Sequence, residues 1–113
     1  MSIKTENHGR TAVLFVKGEL TNDVLQSLQE AVTEQLHRED VVDITVDLTE
    51  SPFIDSAALE YLLDVKDSLT ERLGVVSLTG CDENIRKILE ITRLETSFHV
   101  SDEALSPVET ANT

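Results

Sequence analysis

The chain has a single cysteine, two prolines, four glycines and no tryptophan in 113 residues. Cys81 has no partner for an intrachain disulfide, so a disulfide framework is excluded and a reducing, cytoplasmic location is the expectation. The aromatic residues are only Phe15, Phe53, Phe98 and Tyr61. They offer no stacking platform for bases or sugars, and the core must be aliphatic. Long apolar runs are also missing. The longest, Ala12 to Val16, falls far short of the ~20 residues that cross a bilayer, and the N-terminal stretch lacks the basic start and apolar centre of a signal peptide. Neither membrane insertion nor export by the usual route is expected. Basic residues are few, with 9 Lys and Arg against 22 Asp and Glu, for a net charge of −13. Phosphate contacts need clustered cations, so a nucleic-acid partner is excluded and an anionic membrane surface is disfavoured.

Hydrophobic residues make up 40% of the chain, enough for a core, and a domain of this size buries roughly two thirds of its unfolded surface. Ile3 to Glu6 alternates apolar with polar, Asn7, His8 and Gly9 supply turn chemistry, and Thr11 to Val16 is a β-branched and apolar run. Together they predict an opening hairpin. Gly18 breaks the strand, and Thr21, Asn22 and Asp23 offer capping oxygens. Val24, Leu25, Leu28, Ala31, Val32 and Leu36 then recur at helical spacing, predicting a helix from Asp23 to His37.

Val41 to Leu48 alternates Val42, Ile44, Val46 and Leu48 with Asp43, Thr45 and Asp47, a strand with one more polar face. The loop Thr49-Glu50-Ser51-Pro52 and the pair Phe53-Ile54 lead to Asp55-Ser56, which opens a second helix. Leu59, Leu62, Leu63, Leu69 and Leu73 mark its buried stripe, and Gly74 ends it. Val75 to Thr79 is a short strand. Asp82 and Glu83 then begin a third helix that turns Ile85, Ile88, Leu89 and Ile91 inward and carries Arg86, Lys87 and Arg93 later, in keeping with the helix dipole. Ser97 to Val100 follows as a last strand and Asp102 to Leu105 as a helical turn. The expected whole is one small α/β domain over residues 1–106 with a disordered tail over 107–113. Its sheet is mixed and mostly parallel, begins with an antiparallel hairpin and has helices packed against it.

Catalytic constellations are missing. His8, His37 and His99 do not share metal-ligand spacing, and the glycines form neither a dinucleotide fingerprint nor a phosphate-cradling loop. Asp43, Asp47, Glu60, Asp64 and Asp67 fall where solvated faces are expected. Cys81, at a strand-to-helix turn, has no local catalytic partner and reads as a structural thiol. No enzyme, cofactor or metal is expected. The informative place is Asp55-Ser56, at the start of a helix after a strand and a proline loop. Both residue types are favoured helix caps, so capping alone is one sufficient account of them.

The run Val46-Asp47-Leu48-Thr49-Glu50-Ser51-Pro52-Phe53-Ile54-Asp55-Ser56-Ala57-Ala58-Leu59 resembles the signature of the STAS family, the domain of bacterial anti-sigma factor antagonists and of sulfate-transporter tails. Val16-Lys17-Gly18-Glu19-Leu20-Thr21 resembles that family's early strand and turn, and Leu89-Glu90-Ile91-Thr92-Arg93-Leu94 its third helix. Phe98 and Asp102-Glu103-Ala104-Leu105 resemble its closing strand and terminal helix. The resemblance implies a mixed sheet of four to five strands and a phosphorylatable serine after the signature aspartate, here Ser56 after Asp55. It differs in having Ala57 and Ala58 where Ser or Thr and then Gly are usual, Glu60 where a small residue is common, and Arg93 in place of a glycine.

By this resemblance the chain is expected to act as an anti-sigma factor antagonist. Its face of Asp55, Ser56, Ala57, Ala58 and Glu60 would dock onto a kinase-type anti-sigma factor and release a sigma factor. That serine kinase would phosphorylate Ser56 and end the association, and a phosphatase acting on Ser56 would restore it. The alternative is an accessory or scaffold subunit of an ABC-type lipid transporter or other signalling complex, without phosphorylation. A receiver domain phosphorylated on aspartate fits the hairpin start poorly.

Overall fold

Residues 2–101 are described by the structure, a computed structural model. The expected helical turn at Asp102 to Leu105 and the tail from Pro107 lie outside the described residues. Strands β1 (Ser2–His8) and β2 (Thr11–Lys17) form the antiparallel hairpin. Its turn is Gly9-Arg10, with Gly9 at φ 64°, a conformation that costs glycine nothing; His8 closes β1 instead of lying in the turn. Parallel strands β3 (Asp43–Glu50), β4 (Val76–Thr79) and β5 (His99–Val100) add one after another, giving the sheet order β1-β2-β3-β4-β5. The helices α1 (Leu25–Leu36), α2 (Ser56–Thr70) and α3 (Glu83–Ile91) are the crossovers.

Each parallel strand is added on the same side of its predecessor, so crossovers of one hand bring every helix to one face of the sheet. The side chains agree. Ala12, Leu14 and Val16 of β2, Ile44, Val46 and Leu48 of β3, and Val76 and Leu78 of β4 share one cluster with Leu28, Val32, Leu59, Leu62, Leu69, Ile85 and Leu89 of the helices. Register aligns these strand residues in rows, with Ala12 beside Ile44 beside Val76 and Leu14 beside Val46 beside Leu78. The alternation in β3 is present, but its polar positions are not solvated. Asp47 is only 3% exposed. Its carboxylate accepts hydrogen bonds from the Thr49 N–H at 3.0 Å and the Thr79 hydroxyl at 3.2 Å. Asp43, half-buried, accepts one from the Val75 N–H at 2.9 Å. Both carboxylates therefore tie β3 to the β4 segment, because a buried acceptor must find donors.

Two inward assignments are corrected. Leu73 is 95% exposed and Ile91 is 79% exposed, since each lies at a helix end where the chain turns away from the sheet. Nor does Gly74 end α2 through its own backbone freedom. Leu73 takes the left-handed conformation, at φ 63°, and the Gly74 N–H donates to the Leu69 carbonyl at 2.9 Å, a helix-closing arrangement in which glycine usually sits at the left-handed position. Gly74 is required for space, because a Cβ there would lie 1.5 Å from the Val42 carbonyl oxygen. Arg93 repeats the pattern after α3, at φ 61°, with the Leu94 N–H donating to the Leu89 carbonyl at 2.8 Å. It thus adopts the conformation that a glycine at its place would supply.

Candidate functional site

Loop 18–22, after β2, and loop 51–55, after β3, are stitched together at one end of the sheet. The Gly18 N–H donates to the Glu50 carbonyl at 3.0 Å, Leu20 N–H to the Phe53 carbonyl at 2.9 Å, and Asp55 N–H to the Leu20 carbonyl at 3.1 Å. Leu20 and Ile54 form a parallel bridge and are both buried. This short extension of the β2–β3 pairing aims the chain into α2. Asp55 is extended, at φ −99° and ψ 175°, and is the N-cap: its Oδ1 accepts from the Ala58 N–H at 3.0 Å. Its Oδ2 accepts from the Asn22 N–H at 2.8 Å. One carboxylate therefore satisfies donors of two different segments.

The capping oxygens expected of Thr21, Asn22 and Asp23 are not used. A 3-10 turn, Asn22–Val24, precedes α1, and neither it nor α1 has a side-chain cap. The carboxylate at the next helix supplies the acceptor instead, a long-range partner that local spacing does not disclose.

Ser56 is the first residue of α2 and is exposed. Glu60, one turn on, is also exposed, and Ala57 is half-buried. Ala58 is fully buried, so it offers a partner no side-chain surface and serves to let the first turn of α2 approach the core. Of the five residues expected to form the face, Asp55, Ser56, Glu60 and part of Ala57 are at the surface. Phe53, in the loop before them, is 39% exposed. In the sequence it is one of an apolar pair; the signal that separates it from Ile54 is the two-residue alternation of an extended segment, which sends one side chain in and the next out.

Charge around Ser56 is mostly negative. Glu19, Asp23, Glu50 and Glu60 are exposed on the adjoining segments, and Lys17 is the exposed cation opposite Glu50 in the strand register. The free N–H groups and dipole at the start of α2 favour an added anion, whereas Asp55 and the surrounding carboxylates disfavour it.

Elsewhere the three histidines lie on separate segments. His8 Nε2 lies 3.3 Å from Glu6 Oε1, and His37 and His99 are exposed on other elements. Among the described residues no group of three or more His, Cys, Asp or Glu is placed to hold a metal ion, and no helix is long and apolar enough to cross a membrane. Cys81 is buried, and burial pushes its thiol up to about 11, with Arg86 opposing the rise.

The STAS domain model matches residues 2–105 of this chain. A STAS-domain containing protein from Pseudomonas aeruginosa (strain UCBPP-PA14) is 38% identical over 56 residues, which span 50% of this chain and 55% of that relative. The match therefore covers about half the length of the curated relative. Among solved structures, a putative anti-sigma factor antagonist from Thermotoga maritima superposes with a TM-score of 0.79 at 17% identity, covering 97% of this chain and 91% of its own. The anti-sigma factor antagonist SpoIIAA in its unphosphorylated form gives 0.70 at 17% identity, covering 96% and 91%. A sulfate transporter family protein from Wolinella succinogenes gives 0.69 at 15% identity, covering 82% and 77%. Likeness at these identities is likeness of fold. The family model spans nearly the whole chain, and the protein belongs to the STAS domain family.

Proposed function

We propose that this protein is an anti-sigma factor antagonist whose binding is switched by phosphorylation of Ser56. The observation that carries the proposal is the placement of Ser56: exposed, at the first turn of α2, beside an aspartate that clasps the start of that helix to the loop after β2. Ala57 and Ala58 leave Ser56 as the one hydroxyl between Asp55 and Glu60. Its partner is a kinase-type anti-sigma factor, which holds a sigma factor until this protein displaces it, and a phosphatase resets the switch. The protein acts by binding, without a cofactor, in the cytoplasm.

Elementary electrostatics supports the switch. A phosphoryl group brings a charge of roughly −1.5 to −2 to a helix N-terminus, where the dipole favours an anion by ~0.3–1 kcal/mol, so the fold tolerates it. A docked partner does not. Burying that charge beside Asp55 without a cation to pair it costs about 3–5 kcal/mol, on the order of a hundred- to several-thousand-fold in affinity. Incubation with ATP and the kinase-type ATPase encoded nearest to it is expected to add one phosphoryl group to the intact mass of the protein, and none to Ser56→Ala. Phosphorylation that persists in Ser56→Ala, or an unmodified parent, overturns the proposal.

A second reading is a scaffold or accessory subunit of a transporter of the ABC lipid-trafficking type. The same fold in a sulfate transporter family protein supports a transport setting in general, and this reading needs no modification of Ser56. Stable co-purification with a transporter ATPase, with no phosphoryl group gained, would select it.

A further inference from the structure

Phe53 is an anomaly in a chain with so few aromatic residues. Its flanking apolar neighbours Leu20 and Ile54 are buried, yet Phe53 itself is 39% exposed. Its backbone is held firmly. The Phe53 carbonyl accepts the Leu20 N–H at 2.9 Å and the Ser51 hydroxyl at 3.3 Å, and the Leu20–Ile54 bridge follows at once. Pro52 precedes it with a fixed φ. The ring is thus presented to solvent by a segment that has already lost its conformational freedom, which removes part of the entropic cost of binding. An aromatic side chain also loses few rotamers on contact.

Ser56 lies three positions after Phe53, so their Cα atoms are at most about 11 Å apart. A standard interface covers about 800 Å² on each partner, and a partner centred on Ser56 at that size reaches the Phe53 ring. Glu19, Asp23, Glu50 and Glu60 are exposed on the segments that adjoin the pair, and Lys17 is an exposed cation on β2. We propose that Phe53 is the apolar anchor of this docking face, and that its occupant is a protein surface with an apolar socket rimmed by Lys and Arg. This inference rests on the reading of the Ser56 face as a docking surface and adds which side chain supplies the affinity and what chemistry receives it. The opposite charges steer the encounter, and the ring sets the dissociation rate.

The test compares binding of the parent, Phe53→Ala, Phe53→Leu and Ser56→Asp to the purified kinase-type ATPase encoded nearest to the protein. Phe53→Ala is expected to weaken binding by ~30-fold or more, as an aromatic hot spot does, with Phe53→Leu between it and the parent. Because the ring is partly exposed, the urea midpoint of Phe53→Ala should stay close to that of the parent, which separates lost docking from lost folding. Raising salt from about 50 to about 300 mM should slow association several-fold, since surface charge is screened. If the parent binds and Ser56→Asp does not, while Phe53→Ala binds within ~3-fold of the parent, the anchor is wrong and the switch stands. Association indifferent to salt overturns the basic rim. A parent that does not bind overturns both the anchor and the switch.

Discussion

The carboxylate of Asp55 accepts a hydrogen bond from the backbone N–H of Asn22 at 2.8 Å, across a separation of 33 positions in the chain, while its other oxygen caps α2 through Ala58 at 3.0 Å. The residue before Ser56 is thus the clasp between the loop after β2 and the start of α2. Its capping role and any role at the docking face are carried by the same two oxygens.

Removing that clasp should be measurable without any partner. Asp55→Ala is expected to lower stability by ~1–2 kcal/mol, the usual cost of losing an N-cap, with little added for the Asn22 N–H because that residue is exposed and water replaces the acceptor. Asp55→Asn keeps one carbonyl acceptor and should fall between Asp55→Ala and the parent. Ser56→Ala, which removes an exposed hydroxyl, should stay within ~0.5 kcal/mol of the parent. Urea titrations followed by circular dichroism provide the check, and an Asp55→Ala midpoint equal to the parent's would show that the clasp contributes nothing.

Leu73 and Gly74 are neighbours with opposite expected responses. Leu73 holds a left-handed backbone at φ 63° and is 95% exposed, so Leu73→Gly relieves backbone strain, removes no buried contact, and is expected to raise stability by about 1 kcal/mol. Gly74 lies against Val42, where a Cβ would meet the carbonyl oxygen at 1.5 Å. Gly74→Ala must displace backbone and is expected to cost more than ~3 kcal/mol or to abolish folding. Thermal melts of the two variants would show the contrast directly, and a neutral Gly74→Ala would mean that the close approach of the α2 exit to β3 is absent in solution.

Much of this was legible in the sequence because period-two and period-3.6 patterns report burial directly. β2, β3, α2 and α3 follow those patterns, and the Asp55 cap is a local signal that its bond to Ala58 bears out, whereas Asp82, expected in the first turn of α3, is its cap through Ile85. The unread parts depend on partners distant in sequence. Asp47 reads as a solvated strand residue until Thr79, 32 positions away, donates to it, and the cap oxygens of Thr21 to Asp23 are idle because Asp55 reaches across to Asn22. Ile91 completes a helical stripe by spacing alone, but α3 ends there and the stripe has nothing left to cover. At the candidate site, the family resemblance singles out Ser56, whereas the burial of Ala58 and the exposure of Phe53 required the packing of α2 and the loop before it.

Cys81 offers a probe that is independent of any partner. Burial raises its thiol from an ordinary value of 9.0 to about 11; the positive charge of Arg86 opposes the rise, and Asp82 and Asp47 add to it. Only the thiolate is alkylated rapidly, so at about pH 8 the folded protein should react with iodoacetamide at least ~100-fold more slowly than the same chain in denaturant. The same shift links stability to alkaline pH. Between about 9 and about 11 the folded state keeps a proton that the unfolded state gives up, so the stabilisation is fully present below pH 9 and is lost as the pH rises through 11. Tyr61, whose phenol is also raised by burial, although the Thr33 hydrogen bond lowers it and Asp64 adds to the rise, pushes in the same direction. Urea midpoints measured from about pH 7 to about pH 10.5 should therefore decline at the alkaline end, and Cys81→Ala should flatten the part of the decline due to the thiol. Rapid alkylation of the folded protein at neutral pH would show that the strand-to-helix turn carrying Cys81 opens to solvent far more often than its packing allows.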